Sequence, residues 1–276
     1  MLRPPRPLCW RRHRRSKIAM DASATPRILH IDETDSTNAD AMRLALKGED
    51  LPLWVIAGRQ TAGRGRAGRS WVSPEGNLYT SIAFCCSAPM ENAGQLSLIA
   101  GISLLEAIRA STDLAQDAPL RLKWPNDILM GAAKMGGILV ESTSARGSPG
   151  FLAIVGFGLN LSSHPDDLGR TVTSLSRHAQ APTPTALLAS LAEQFPRWLD
   201  IWRNGDDFAA VRRAWMERAG PIGEAMTVNS KDGPISGTYR GLAETGALLA
   251  EVDGQVREIN HGDVALGGAD AYDGDA

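Results

Sequence analysis

The sequence holds little with which to build a stapled or membrane-spanning structure. Only three of its 276 residues are cysteine, at Cys9, Cys85 and Cys86. That is too few for a disulfide framework, and no spacing offers the four Cys/His ligands of structural zinc. A reducing, cytoplasmic compartment is the expectation. No run approaches the roughly 18 apolar residues of a membrane span. No apolar h-region follows the first arginines, which excludes a secretory signal. The histidines, His13, His30, His164, His178 and His261, are scattered without ligand spacing. Serine hydrolysis lacks its G-x-S-x-G elbow. The GxxxxGK[ST] phosphate loop is missing too, and the G-x-G-x-x-G spelled by Gly63 to Gly68 is not read as the dinucleotide fingerprint. There is no internal repeat and no coiled coil.

What is present is an ordinary globular composition, 43% hydrophobic and 22% charged, with a net charge of -2. It is enough for one large core or two domains. The charge is unevenly spread. Residues 1–20 carry Arg3, Arg6, Arg11, Arg12, Arg14, Arg15 and Lys17 and no acid. The 22 basic residues left over face 31 acidic ones. A mildly acidic body is thus joined to a basic tail over residues 1–26, expected to be disordered. A transit segment, a DNA-binding arm, or translated sequence upstream of a start at Met20 are the alternatives.

Periodicity predicts strands over Arg27–Ile31, Leu53–Ala57, Asn77–Cys86, Leu120–Trp124, Gly137–Glu141 and Phe151–Gly158, the last two forming a hairpin. Helices are expected over Thr37–Leu46, Leu96–Ala110, Thr185–Trp202 and Asp206–Ala219, with Asp35 or Ser36 capping the first. The larger part, residues 27–219, reads as an α+β domain with a mixed or mostly antiparallel sheet. After Gly220 the pattern becomes a meander of short strands with turns at Asp232-Gly233 and Asp253-Gly254. A small β-barrel over residues 220–268 is the expectation, with residues 269–276 frayed.

Four segments could carry chemistry. In Gln60-Thr61-Ala62-Gly63-Arg64-Gly65-Arg66-Ala67-Gly68-Arg69-Ser70-Trp71, glycines allow close backbone approach. Arg64, Arg66 and Arg69 supply fork-shaped donors for phosphate or carboxylate oxygens. An exposed basic loop or a nucleic-acid-binding RG segment is the bland alternative. In Lys123-Trp124-Pro125-Asn126-Asp127, followed by Lys134 and Gly137, the corner could orient an ammonium group or a metal, or be only an Asn-Asp turn. Gly156-Phe157-Gly158-Leu159-Asn160 ends a strand where the backbone approaches something. Asp35-Ser36-Thr37-Asn38 is a helix cap whose hydroxyls could bind a small polar headgroup.

The order and spacing of these segments, with Ser73-Pro74-Glu75-Gly76-Asn77-Leu78-Tyr79 and Gly137-Ile138-Leu139-Val140-Glu141, resemble the bacterial biotin–protein ligases over residues 30 to 266. The resemblance implies a mixed-sheet catalytic domain of the biotin/lipoate ligase type followed by an SH3-like barrel. It implies ATP and biotin as substrates, with Mg²⁺, and a biotin carboxyl carrier protein of acetyl-CoA carboxylase as partner. Biotinyl-5′-AMP would form first, and biotin would then pass to one lysine of the carrier. Ser36, Thr37 and Gln60 would meet the ureido ring, and Gly63 and Gly137 would make room for biotin beside Trp71. Arg64, Arg66 and Arg69 would close over the adenylate, Arg66 retaining it, and Lys134 would contact the carboxyl and phosphoryl oxygens. Asn126 and Asp127 would face the phosphates and the acceptor lysine, with Asp127 and Asn160 near the metal. The position of Asp35 leaves no room for a preceding DNA-binding domain, so the ligase-only class is expected, with no specific DNA binding. The sequence is compatible with a homodimer but requires none. A lipoate or octanoyl ligase or transferase of the same fold is the enzyme alternative, and a basic nucleic-acid binder the non-enzyme one.

Overall fold

The computed structural model describes residues 26–144, 150–166, 171–230 and 233–267. The expectations for the basic tail and for the last residues lie outside them. The described residues form two sheets. The first has seven strands in the order β1-β2-β3-β7-β6-β5-β4. These are β1 (Ile28–Thr34), β2 (Leu53–Gln60), β3 (Leu78–Cys86), β4 (Leu120–Lys123), β5 (Asp127–Met130), β6 (Ala133–Ser144) and β7 (Phe151–Leu159). Only β1 and β2 run parallel, and the other neighbours are antiparallel. The sheet is therefore mixed, as the α+β reading required, and β6–β7 is the expected hairpin.

Both faces of this sheet are covered, which explains why its central strands are nearly continuous in apolar residues. Alternate residues enter opposite cores. Leu53, Val55, Ala83, Leu152 and Ile154 pack under helix α1 (Thr37–Lys47) with Ala41 and Ala45. Trp54, Ile56, Ile82, Phe84 and Val155 join the larger core with helices α2 (Gln95–Ser111) and α3 (Pro184–Trp202). There Phe195 of α3 meets Trp54, Phe84 and Phe157 edge-on, at ring separations of 5.8 to 6.2 Å. Such edge contacts suit the aromatic quadrupole. The stretch Met90–Ser111 is apolar and long enough to cross a membrane by composition alone, but 61% of its most apolar window is buried in the protein. Its composition is that of a core helix. Helix α3 starts where Thr183 accepts a bond from the Ala186 amide at 3.2 Å, with Pro184 in its first turn, a favourable pairing of cap and proline. Helix α4 (Phe208–Glu217) follows. Ser36 holds the N-cap position of α1, yet its side chain makes no capping bond.

The second sheet corrects the expected architecture. Its strands, β8 (Ala225–Ser230), β9 (Gly233–Leu242), β10 (Leu248–Val252), β11 (Gln255–Ile259) and β12 (Asp263–Leu266), lie in the order β11-β10-β9-β8-β12. Strands β11 and β12 are its two edges and do not pair, so the sheet is open and no SH3-like barrel closes. The reason lies in β12, which the sequence reading did not find. It pairs antiparallel with β8 and turns toward the first sheet, where the Lys123 ammonium donates to the Val264 carbonyl at 2.7 Å. Gln255 to Glu258 are all exposed, as befits an edge strand with nothing beyond it. The predicted turn at Asp253-Gly254 is present, with φ of 53° and 75°, the positive pair that a tight hairpin of type I′ needs. Arg121 joins the sheets by donating to both Glu224 oxygens at 2.8 and 2.9 Å.

Candidate active site

A cleft opens on the first sheet where α1, the glycine–arginine loop and the β5–β6 corner converge. Ser36, Thr37, Gln60, Arg64, Arg66, Arg69, Trp71, Asn126, Lys134 and Gly137 all line it. The loop is a turn with φ of 54° at Ala67 and 76° at Gly68, closed by Gly65 donating to Arg69 at 2.7 Å. Three arginines and a lysine thus face one space, and no acidic side chain lines it among the described residues. Carboxylates stand behind the cations instead. Arg64 pairs with Glu141 at 3.0 Å, and Arg66 and Arg69 with Asp263 at 3.2 and 2.9 Å. The Arg66 guanidinium is also 3.3 Å from Asn126 Oδ1. Burial lowers its pKa, partly offset by Asp263.

The far end of the cleft is neutral and polar. Gln60 Oε1 accepts from the Thr37 amide at 2.9 Å and from its hydroxyl at 3.2 Å. Ser81 donates to Thr37 Oγ1 at 2.7 Å and Asn38 Oδ1 at 2.6 Å, and Asn38 donates to Glu141 at 2.8 Å. Ser81, Asn38 and Glu141 were not among the expected site residues. Ser81 sits within an apolar strand, and a single buried hydroxyl there carries no sequence signal.

Lys134 owes its position to a register shift between Ile128 and Leu129 on β5. Ile128 pairs with Gly136 but Leu129 pairs with Lys134, so Met135 is the extra residue. Such a bulge re-aims side chains. Met135 is fully buried in the core, while Lys134 turns to the face carrying Gly137 and Asp127. Its ammonium bonds Asp127 Oδ1 and lies 5.6 Å from the Trp71 ring centre, over its face. Asp127 Oδ2 pairs with Lys123 at 3.0 Å. Burial raises the Asp127 pKa, but Lys134 and Lys123 outweigh it and bring it to about 2.

Three expected residues stand apart. Gly63 does not line the cleft. A Cβ there would lie 2.4 Å from the Trp71 carbonyl oxygen and 2.6 Å from Ser73 Oγ, so this glycine serves the loop's own packing. Asn160 is buried behind Trp71 and Lys134, with its amide donating to the Thr173 carbonyl at 3.1 Å. Asp127 does not fit a resident cation in this arrangement, because both of its oxygens already hold ammonium groups. No group of three His, Cys, Asp or Glu side chains able to hold a metal occurs among the described residues. The glycines of Gly156-Phe157-Gly158 have a clear purpose. A Cβ on Gly156 would strike Asn38 Oδ1 at 2.1 Å, and one on Gly158 would strike Trp71 Nε1 at 2.8 Å. They make room for two cleft side chains.

The Asp127 carboxyl also predicts an acid response. Its folded pKa of about 2 is below its ordinary 3.8. The ionised pair therefore contributes stability above pH 4, and this is lost as pH falls from about 4 through 2. The contribution is roughly 2 kcal/mol for a shift of this size. Urea unfolding at pH 5 and pH 2.5 should show the loss, and Asp127→Asn should show a smaller one. Equal losses in both proteins would refute the assignment.

The comparisons with known proteins agree with this geometry. The model of the biotin/lipoate A/B protein ligase family matches residues 31–160, and that of the biotin protein ligase C-terminal domain matches residues 222–267. The chain is 36% identical over 245 residues to the biotin–[acetyl-CoA-carboxylase] ligase of Paracoccus denitrificans, covering 85% of this chain and 98% of that one. It is 32% identical over 240 residues to the Mycobacterium tuberculosis protein of the same name, covering 85% and 86%. The solved biotin protein ligase of Aquifex aeolicus, in complex with biotin and ATP, superposes with a TM-score of 0.73 at 28% identity, covering 88% of this chain and 99% of that one. Together with the cationic cleft, these similarities show that the chain belongs to the biotin–protein ligase family and is an adenylate-forming biotin–protein ligase.

Proposed function

We propose that the cleft joins biotin to ATP and passes the biotinyl group to a lysine of a biotin carboxyl carrier protein of acetyl-CoA carboxylase. The observation that carries this reading is the lining itself: four cationic side chains, no acid among the described residues, and a neutral hydrogen-bonding end. Both substrates of the first step are anions, and their approach requires offsetting positive charge. A biotin carboxylate oxygen attacks the α-phosphorus, an O–P bond forms, and pyrophosphate leaves. In the second step the lysine nitrogen attacks the acyl carbon, the bond to the phosphate oxygen breaks, and AMP departs.

In this reading Ser36, Thr37 and Gln60 meet the ureido group, which presents both donors and acceptors. Trp71, Phe157 and Gly137 border the apolar part of biotin. Lys134 steadies the carboxylate and the phosphoryl oxygens where charge develops. Arg66 holds the adenylate, and Arg64 and Arg69 flank it. Asn126 fixes the corner through its bond to the Ile138 carbonyl at 2.7 Å. We assign Asp127 to holding Lys134 in place. With a pKa of about 2 it is too weak a base to take a proton from an ammonium group of ordinary pKa near 10. The carrier is supported by the names of the Paracoccus and Mycobacterium relatives.

The test supplies purified protein with ATP, a carrier domain, and either radiolabelled biotin or radiolabelled lipoate. Label from biotin alone is expected on the carrier. Transfer of lipoate without biotin would overturn the reading in favour of the lipoate alternative.

A further inference from the structure

Strand β12 touches the cleft's machinery without lining the cleft. Its Val264 carbonyl accepts from Lys123, and Lys123 in turn pairs with Asp127. One residue earlier, a single oxygen of Asp263 accepts from Arg66 Nη1 and from Arg69 Nη2. Arg66 Nη2 also reaches the Gly262 carbonyl at 3.4 Å. No residue of the turn Arg66–Gly68 is buried, so no apolar side chain anchors it. Ala67 sits in the left-handed region at φ 54°, a conformation that L-residues other than glycine adopt at a cost. Two guanidinium groups three residues apart also repel each other. Such a turn needs tethers, and the chain supplies them from both sheets: Glu141 for Arg64, and Asp263 for Arg66 and Arg69.

We infer that Asp263 is a positioning residue for adenylation: from the second sheet, its carboxylate gathers Arg66 and Arg69 and holds the arginine loop over the cleft. The second sheet thereby tunes the affinity of a site it does not line. The inference rests on the ligase reading for its kinetic consequence, but not for its structural one. The bonds lie within the chain and can be probed without any substrate.

Two measurements on the full chain test it, using Asp263→Ala, Asp263→Asn and Asp263→Glu. The first is limited trypsin digestion, with cleavage after Arg64, Arg66 and Arg69 followed by mass spectrometry. The second is steady-state biotinylation, which separates KM for ATP from kcat. Losing a shared charged acceptor should speed cleavage in the loop about tenfold and raise KM for ATP about tenfold. The kcat should stay within about twofold, and Asp263→Glu should restore most of both effects. A loop cleaved at the wild-type rate in the Ala and Asn variants would overturn the inference, as would an unchanged KM. A fall in kcat alone would overturn it equally. Should Asp263→Ala fail to fold, Asp263→Asn keeps the shape of the side chain and carries the test. If the wild-type chain transferred no biotin while the cleavage difference stood, the ligase reading would fail and the tether would survive.

Discussion

Lys134→Ala should lower the rate of biotinyl-AMP formation about a thousandfold while the protein remains folded. Removing one fixed donor from developing transition-state charge costs about 10²- to 10³-fold in other enzymes. The upper end is expected here for two reasons. The Lys134 ammonium is held in place by Asp127 and by the face of Trp71, so it pays little reorganisation when the charge develops. Its loss also leaves Asp127 with Lys123 as the remaining ion-pair partner of its carboxylate, which removes one positive charge from a site that must accept two anions. The measurement is pyrophosphate release from ATP and biotin without any carrier, which isolates the first half-reaction. Lys134→Arg should recover little, because a planar fork does not reproduce a compact point charge in so confined a position. Pyrophosphate release at the wild-type rate in Lys134→Ala would remove the residue from the chemistry.

Arg66→Gly should have the second-largest effect, on a different step. The guanidinium is the part of the loop tied to the Asn126 corner and to Asp263 at once. It is the group best placed to keep a bound phosphate from leaving. Charge-assisted hydrogen bonds of this kind are worth roughly 1.5–3 kcal/mol, so escape of the adenylate should quicken about ten- to a hundredfold. The adenylate is a mixed anhydride and acylates amines in solution. The variant should therefore label lysines of a bystander protein mixed with it, which the wild-type enzyme leaves largely untouched. Adenylate release is read by rapid dilution of a preformed complex, and bystander labelling by blotting with streptavidin. Slow release combined with wild-type selectivity would place the retention elsewhere.

These two residues illustrate different degrees of legibility. Arg66 lies in a run of glycine and arginine whose density alone points to a bound anion. Lys134 has no such neighbourhood. Its environment depends on the extra residue at Met135, which decides the face on which Lys134 emerges. A one-residue shift in a strand moves every later side chain to the other face, and no local pattern in the sequence marks this shift. The same holds for Ser81, which looks like one small residue in an apolar strand. It proves to join Thr37 to Asn38 at the polar end of the cleft.

The sequence by itself carried the resemblance to the family, the helices and every strand of the first sheet except β5, and, through that resemblance, most of the cleft-lining side chains. The elements follow from periodicity, and the glycine–arginine loop from close approach and the need to hold anions; the family and the remaining site residues rest on the resemblance. Only the tertiary structure decided three further things. It showed that the last sheet stays open, because β12 leaves the meander to pair with β8 and bond to the first sheet. It assigned Gly63 to loop packing and the glycines at 156 and 158 to making room for Asn38 and Trp71. And it brought Asp263, 197 residues from Arg66, to the arginine loop. Contacts over such separations depend on how whole elements pack, and a reading of local pattern has no access to that.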